Sequence, residues 1–322
     1  MTASTPGAGP PSTEGLRPLT QTLPHLRSSS PRYGERIALV GMAMAAGVTI
    51  ATTIGIVIAL IVPAISFFRE VSPLTFLTDD TWTPRFQNPH YGVLPLITGT
   101  MWTTLIALTV AIPLGLGAAI YLAEYASPRV RKIFKPVLEL LAGIPSVVYG
   151  YFALTFVAPL VLKDLLKINV GTFSVLAAGL VLGIMIIPTV ASLSEDAMSA
   201  VPASLREGSL ALGANRMRTT LRVVFPAAIS GIAAAIVLGL SRAVGETMIV
   251  ALAAGNQAQM VSSPTQSGQT MTGFIAQAAT GESVVGSLQY NTLFAVGLTL
   301  FLITLVINVI SIRLVRRFRE AY

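Results

Sequence analysis

Six stretches of this sequence, approximately residues 37–68, 99–123, 136–162, 171–193, 226–254 and 291–314, stay apolar far longer than a soluble helix requires. A hydrocarbon layer ~30 Å thick takes about 20 apolar residues to cross as a helix. No water is available there to satisfy stray backbone groups, so segments of this length must close their own hydrogen bonds as helices. The expected fold class is therefore all-α: a polytopic membrane protein with six transmembrane helices. The composition agrees, because only 11% of the 322 residues are charged and 53% are hydrophobic. Pro113, Pro145, Pro159 and Pro188 fall inside the spans, where neighbouring helices can satisfy the carbonyls that proline frees.

The basic residues set the orientation. With the N-terminus on the cytoplasmic side, sixteen of the 21 Lys and Arg flank cytoplasmic ends, in groups around residues 17–36, 129–135, 206–222 and 313–319. Arg69, Arg85, Lys163 and Lys167 fall outside and Arg242 lies within a span. This asymmetry predicts both termini in the cytoplasm and makes residues 195–226 cytoplasmic. The net charge of +7 is spread over short loops rather than gathered in a patch, which argues against a nucleic-acid partner. Residues 1–31 are rich in Pro, Ser, Thr and Gly, so residues 1–34 are expected to be a disordered cytoplasmic tail and 35–322 the membrane domain. The first apolar stretch is too long for a cleavable signal. The absence of cysteine excludes disulfides, thiolate metal sites and cysteine nucleophiles.

Residues 195–226 form the polar break with the clearest local signals. Ser204-Leu205-Arg206-Glu207 fits a capping box, predicting a short helix that begins just after Ser204. Gly213 can take the left-handed conformation that ends it, and Asn215 can cap a second helix over 216–225. Leu205 and Leu212 stand seven apart with Gly208 and Ser209 between them, a shallow face for a partner. Glu207, Gly213 six residues on, then nine residues, Val223, one residue, and Phe225-Pro226 together resemble the EAA loop of ABC-importer permeases. Gly208 and Ser209 replace that pattern's two alanines, Val223 its Ile and Phe225 its Leu. The resemblance implies a cytoplasmic coupling helix seated in an ATPase subunit, with Ser204, Glu207, Gly208, Ser209, Gly213 and Pro226 as its residues.

Two ionisable groups, Arg242 and Glu246, lie in the fifth span. Each costs about 2.5–3.5 kcal/mol near the bilayer centre on insertion scales, so both should face the bundle interior. Their i, i+4 spacing lets them pair on one face, and a helix starting at Pro226 would carry Arg242 about 24 Å along, past the midplane. The pair reads either as a structural ion pair that fixes helix rotation or as part of an anion pathway, since guanidinium matches phosphate oxygens bidentately. In the pathway reading, Glu246 neutralises Arg242 at rest and accepts a hydrogen bond from a phosphate OH, a proton sulfate lacks.

Elsewhere, Gly143 and Pro145 interrupt the third span as a helix lining a cavity or interface would be interrupted. Gly115 with Gly117, and Gly179 with Gly183, read as helix-packing sites. Phe76, Trp82, Phe86 and Tyr91 read as interfacial anchors and His90 as a surface residue without metal partners. The loop 255–290 is either solvated or a partner contact, with a helix expected near 273–280.

The run 142–150, the segment Arg242 to Thr247, and Tyr91-Gly92-Val93-Leu94-Pro95 extend the resemblance over about residues 35–320. Together with the coupling motif they resemble the PstC-type permeases of phosphate ABC importers. The resemblance implies a type I, MetI-like permease fold in the bacterial cytoplasmic membrane. It implies a homologous PstA-type permease partner, two PstB-type ATPase subunits, a PstS-type extracytoplasmic phosphate-binding protein, and lipid contact. No cofactor is expected on this chain, which lacks a phosphate-cradling G-x-x-x-x-G-K-[ST] loop; ATP and Mg belong to the ATPase partner, and the chain is not itself an enzyme. A permease for sulfate or molybdate, or a phosphate-status sensing scaffold, are the rival readings.

Overall fold

A computed structural model describes residues 33–281 and 283–317 of the chain. Its described residues are helices and connecting turns, apart from one isolated antiparallel bridge between Trp82 and Tyr91. The expected tail lies outside the described residues, save for Tyr33 and Gly34, which already belong to helix α1 (Tyr33–Glu70). The chain divides into two units, residues 1–54 and 55–322. In the first, residues 33–54 are helical and exposed along their whole length, and apolar, as suits a surface that faces lipid.

In the second unit, α1 ends at Glu70 and is followed by α2 (Pro73–Thr78), α3 (Leu94–Ile120) and α4 (Pro128–Ala142). Then come α5 (Ser146–Phe152), which runs on with wider winding through Ala153–Leu165, and α6 (Val175–Ser199). Short helices α7 (Ala203–Ala211), α8 (Arg216–Thr219) and α9 (Phe225–Ala227) lead to α10 (Ile229–Gly245) and α11 (Met248–Ala253). Finally, α12 (Met271–Ala279) precedes α13 (Leu288–Arg317). Five of the described helical stretches are long and apolar enough to cross a membrane. The sixth span is a bent pair, Arg216–Ala227 and Ile229–Gly245, with 70° between its halves.

The core is α3 against α6, brought together by glycine. A Cβ at Gly179 would stand 2.7 Å from the Ile106 Cβ, and one at Gly183 would stand 2.8 Å from the Ala107 carbonyl oxygen. Gly115 plays the same part from α3, against Val190. Gly117 faces open space, so the expected packing role belongs to its neighbour alone. Ala107, Ala111, Leu182, Met185, Ile186 and Val190 are all buried in this contact.

α3 does not end as an α-helix. Over Tyr121–Tyr125 it widens into a π turn, closed by Ala126 N donating to Tyr121 O at 2.8 Å. Serine caps start the next long helices: Ser127 Oγ accepts from Val130 N for α4, and Ser174 Oγ from Ala177 N at 3.1 Å for α6.

Two expectations change here. The span expected at 136–162 begins at Ser146, because residues 136–142 finish α4, an amphipathic helix with no fully buried residue, before Gly143 and Pro145 break the chain. The aromatic residues expected as interfacial anchors instead form a core. Phe76 and Trp82 are buried and Tyr91 is half-buried; Phe67 packs edge-on to Phe76 and Tyr91, and Trp82 to Phe274 of α12 at 5.0 Å. Only Phe86 is exposed. The cause is the loop 79–93, which folds back so that Thr83 N donates to His90 O and Val93 N to Phe76 O. His90 stays on the surface, its Nδ1 3.4 Å from Asp79 Oδ2.

The loop 255–290 is folded rather than solvated over its central part. Trp102 Nε1 donates to Val261 O, Met271 N donates to Thr100 Oγ1, and residues 268–274 are buried as α12 begins.

Candidate functional site

The segment 195–226 folds as a helical hairpin, but not from the expected cap. α7 starts at Ala203 behind Pro202, whose fixed φ suits a helix entry, so Ser204 lies inside the first turn and makes no cap hydrogen bond. The C-terminal end follows expectation: Gly213 sits at φ +80°, Gly213 N donates to Leu210 O and Ala214 N to Ser209 O, the paired bonds of a Schellman ending. Asn215 caps α8, accepting from Arg218 N at 2.9 Å. Gly213→Ala puts a Cβ into left-handed backbone, a cost of about 1 kcal/mol. The Ala214 amide is expected to exchange its hydrogen about fivefold faster in that variant, measured by native-state exchange.

The faces of α7 differ from the simple seven-residue reading. Leu205 packs into the cluster of Met198, Val201 and Val224, and Ser209 Oγ lies 2.9 Å from Thr219 Oγ1, so both face the protein. Ser204, Glu207 and Gly208 face outward, and Leu212 is 90% exposed beside exposed Leu210 and Met217. Pro226 lies in α9 just before the 70° bend, where its ring is tolerated in the first turn. The outward face is shallow, partly apolar and carries one carboxylate.

Behind this hairpin are two buried carboxylates that sequence reasoning passed over. Glu195 of α6 is 1% exposed; it accepts from Arg131, from Lys135 Nζ at 2.9 Å and from Ser199 Oγ at 2.9 Å. Lys135 also pairs with Asp196. These hydrogen bonds, first to Asp196 and then to Glu195, raise the Lys135 pKa, so its ammonium stays charged. Glu124, 7% exposed in the π turn, accepts from Arg206 Nε and Nη2 at 3.2 and 3.1 Å. The available signal was acidic residues at the ends of two apolar spans, Glu124 after the second and Glu195-Asp196 after the fourth, next to loops that carry Lys and Arg.

The second constellation surrounds Arg242. The helix expected to carry both Arg242 and Glu246 stops at Gly245; Glu246 takes extended backbone (φ −67°, ψ 133°) and the two side chains do not pair. Instead the Glu246 carboxylate accepts from Met248 N at 3.0 Å and Ile249 N at 3.3 Å, capping α11, while its own carbonyl accepts from Thr272 Oγ1 at 2.6 Å. A residue that caps the following helix cannot continue the preceding one, which is why the i, i+4 pair fails. Arg242 Nη1 donates to Thr189 Oγ1 at 3.2 Å, which sets the guanidinium beside the middle of α6.

The two interruptions lie side by side. Gly150 of α5 leaves room for α11, since a Cβ there would stand 3.1 Å from Met248 O and 3.2 Å from the Ile249 Cα. Tyr149 packs on the cluster that includes Ala243 and Ile249. Both half-helices therefore share a packing cluster with Ala243, the neighbour of Arg242, an arrangement in which irregular backbone is sheltered by protein.

Long apolar helices, an exposed hairpin between two of them, and interrupted helices that pack together beside a cation within a span define a multi-pass transport permease. Residues 111–320 match the family described as binding-protein-dependent transport system inner membrane component, and the chain belongs to that family. It is 41% identical to the probable ABC transporter permease protein YqgH of Bacillus subtilis over 83% of this chain and 87% of that protein. It is 33% identical to the phosphate transport system permease protein PstC of Mesorhizobium japonicum over 90% of this chain and 94% of that one. Its fold matches a chain of a bacterial alginate ABC transporter, with TM-score 0.64 and 16% identity, covering 90% of this chain and 99% of that one.

Proposed function

We propose that this chain is the PstC-type permease subunit of an ATP-driven phosphate importer, forming half of the translocation pathway with a PstA-type chain. The observation that carries the reading is Arg242. It is a permanent cation within a span; among the described residues no carboxylate lies in ion-pair range of it and one of its N–H groups, at Nη1, is hydrogen-bonded to the protein. An uncompensated guanidinium is costly in that setting, and an oxyanion is the ligand that repays it through bidentate hydrogen bonds. Sulfate and molybdate share that geometry; phosphate is favoured by the likeness to a phosphate permease over nine-tenths of the chain.

The outward face of α7, with Ser204, Glu207, Gly208 and Leu212, fits a groove on a PstB-type ATPase subunit. Two such subunits would hold ATP and Mg; this chain would supply the path and the connection. The positive-inside distribution supports a cytoplasmic side for α7 and both termini, which would leave the opposite end for a PstS-type phosphate-binding protein. Closure of the ATPase pair would push α7, and the helices behind it would convert the push into alternating access.

The test is ATP-dependent uptake of labelled phosphate into proteoliposomes containing the full set of subunits, with sulfate as competitor. Phosphate uptake undiminished by a tenfold excess of sulfate is the expected result. Uptake suppressed by sulfate, or none from an assembled complex that hydrolyses ATP, would overturn the choice of cargo.

A further inference from the structure

One side chain of the hairpin makes four hydrogen bonds to the segments behind it. Arg206 lies on the inward face of α7, beside Leu205 and opposite the outward residues Glu207 and Gly208. Its guanidinium donates from Nε and Nη2 to Glu124, from Nη1 to Val201 O at 2.5 Å, and from Nη2 to Met198 O at 2.7 Å. Met198 belongs to the last turn of α6, where its carbonyl also accepts from Val201 N at 3.2 Å, and Glu124 to the π turn that ends the α3 helix. One planar group thus ties α7 at once to the ends of the two helices that form the core of the bundle. Glu124 is buried, so its charge is held by this contact rather than by water.

We propose that Arg206 is the positioning residue that makes α7 move as one body with the ends of α3 and α6, so that displacement of the hairpin reaches the membrane core. This rests on the importer reading given above and names the residue through which its stroke passes. The chemistry favours arginine: its planar fork spreads donors far enough apart to reach a carboxylate and two carbonyls together, whereas a lysine donates from a single point at the end of its stem and does not span all three. The direction of the contacts matters as well. Glu124 and the Met198 carbonyl approach the guanidinium from different helices, so a shift of α7 that kept these bonds would have to carry both helix ends with it.

The experiment uses the assembled importer in proteoliposomes and measures ATP hydrolysis and solute uptake on the same preparation. In Arg206→Ala, uptake per ATP hydrolysed is expected to fall at least tenfold, while hydrolysis stays within about threefold of wild type. Combining it with Glu124→Ala should add little, because both act through one contact. If Arg206→Ala does not assemble, Arg206→Lys decides, with the same fall in the ratio expected because the fork is lost while the charge is kept. Hydrolysis and uptake that fall in step would reduce Arg206 to a purely structural role. A second readout does not depend on cargo. The chain has no cysteine, so spin labels at Leu210→Cys and Tyr121→Cys report the distance between α7 and the end of the α3 helix. That distance should hold constant on ATP addition with Arg206 present and change in Arg206→Ala. A distance that changes equally in both overturns the proposal even if the cargo is not phosphate.

Discussion

Arg242→Ala is expected to cut phosphate uptake by about 100-fold while the complex still assembles, since charge-assisted hydrogen bonds to an oxyanion are worth roughly 1.5–3 kcal/mol each. Among the described residues the guanidinium contributes one hydrogen bond, to Thr189. Removing it takes a charge out of an apolar setting, so folding should suffer little; the loss should fall on transport. Arg242→Lys keeps the charge but forfeits the bidentate fork, and should recover only part of the rate. Uptake is measured against the amount of purified complex. A variant that transports at the wild-type rate would return Arg242 to a structural role, and one that fails to assemble would do the same.

The second large effect concerns folding. Gly183→Val would place a Cβ 2.8 Å from the Ala107 carbonyl oxygen and 2.9 Å from the Val110 Cβ, atoms of a packed helix that cannot turn aside. Overpacking of this kind costs about 1–3 kcal/mol, and the two added methyls place the expected value near the upper end. The variant should unfold several degrees below wild type in detergent, measured by thermal denaturation, and accumulate poorly in the membrane. Gly117→Val is the control, because a Cβ at Gly117 meets open space. Equal unfolding temperatures for the two variants would mean that α3 and α6 do not pack as described.

The number and approximate position of the spans were legible because hydrocarbon thickness imposes a length on apolar runs, whatever their neighbours. So was the Gly213 to Asn215 turn, which depends only on local backbone geometry. Contacts between distant segments were not. Ser204 and Glu207 satisfy a capping pattern, yet Pro202 starts the helix two residues earlier. Arg242 and Glu246 have helical spacing, yet Glu246 bonds forward to Met248 and Ile249 and breaks the helix that would have paired them. Phe76 and Trp82 carry the composition of a membrane interface, but a loop that folds back buries them against Phe67 and Phe274. In each case a local pattern was correct about chemistry and silent about which partner the fold would bring. The buried pairs Glu195 with Lys135 and Glu124 with Arg206 span about 60 and 80 residues of sequence, beyond any local period.

The π turn at Tyr121–Tyr125 has a geometric result of its own. Along α3 the buried face repeats every four residues through Thr103, Ala107, Ala111, Gly115 and Ala119. Ordinary winding would bring Ala123 next onto that face. The wider turn closes five residues on and delivers Glu124 instead, in line with the row below it. A single-residue deletion within the turn would restore even phase and swing the carboxylate aside, so the helix accommodates two incompatible rhythms by changing gauge once, at its last turn.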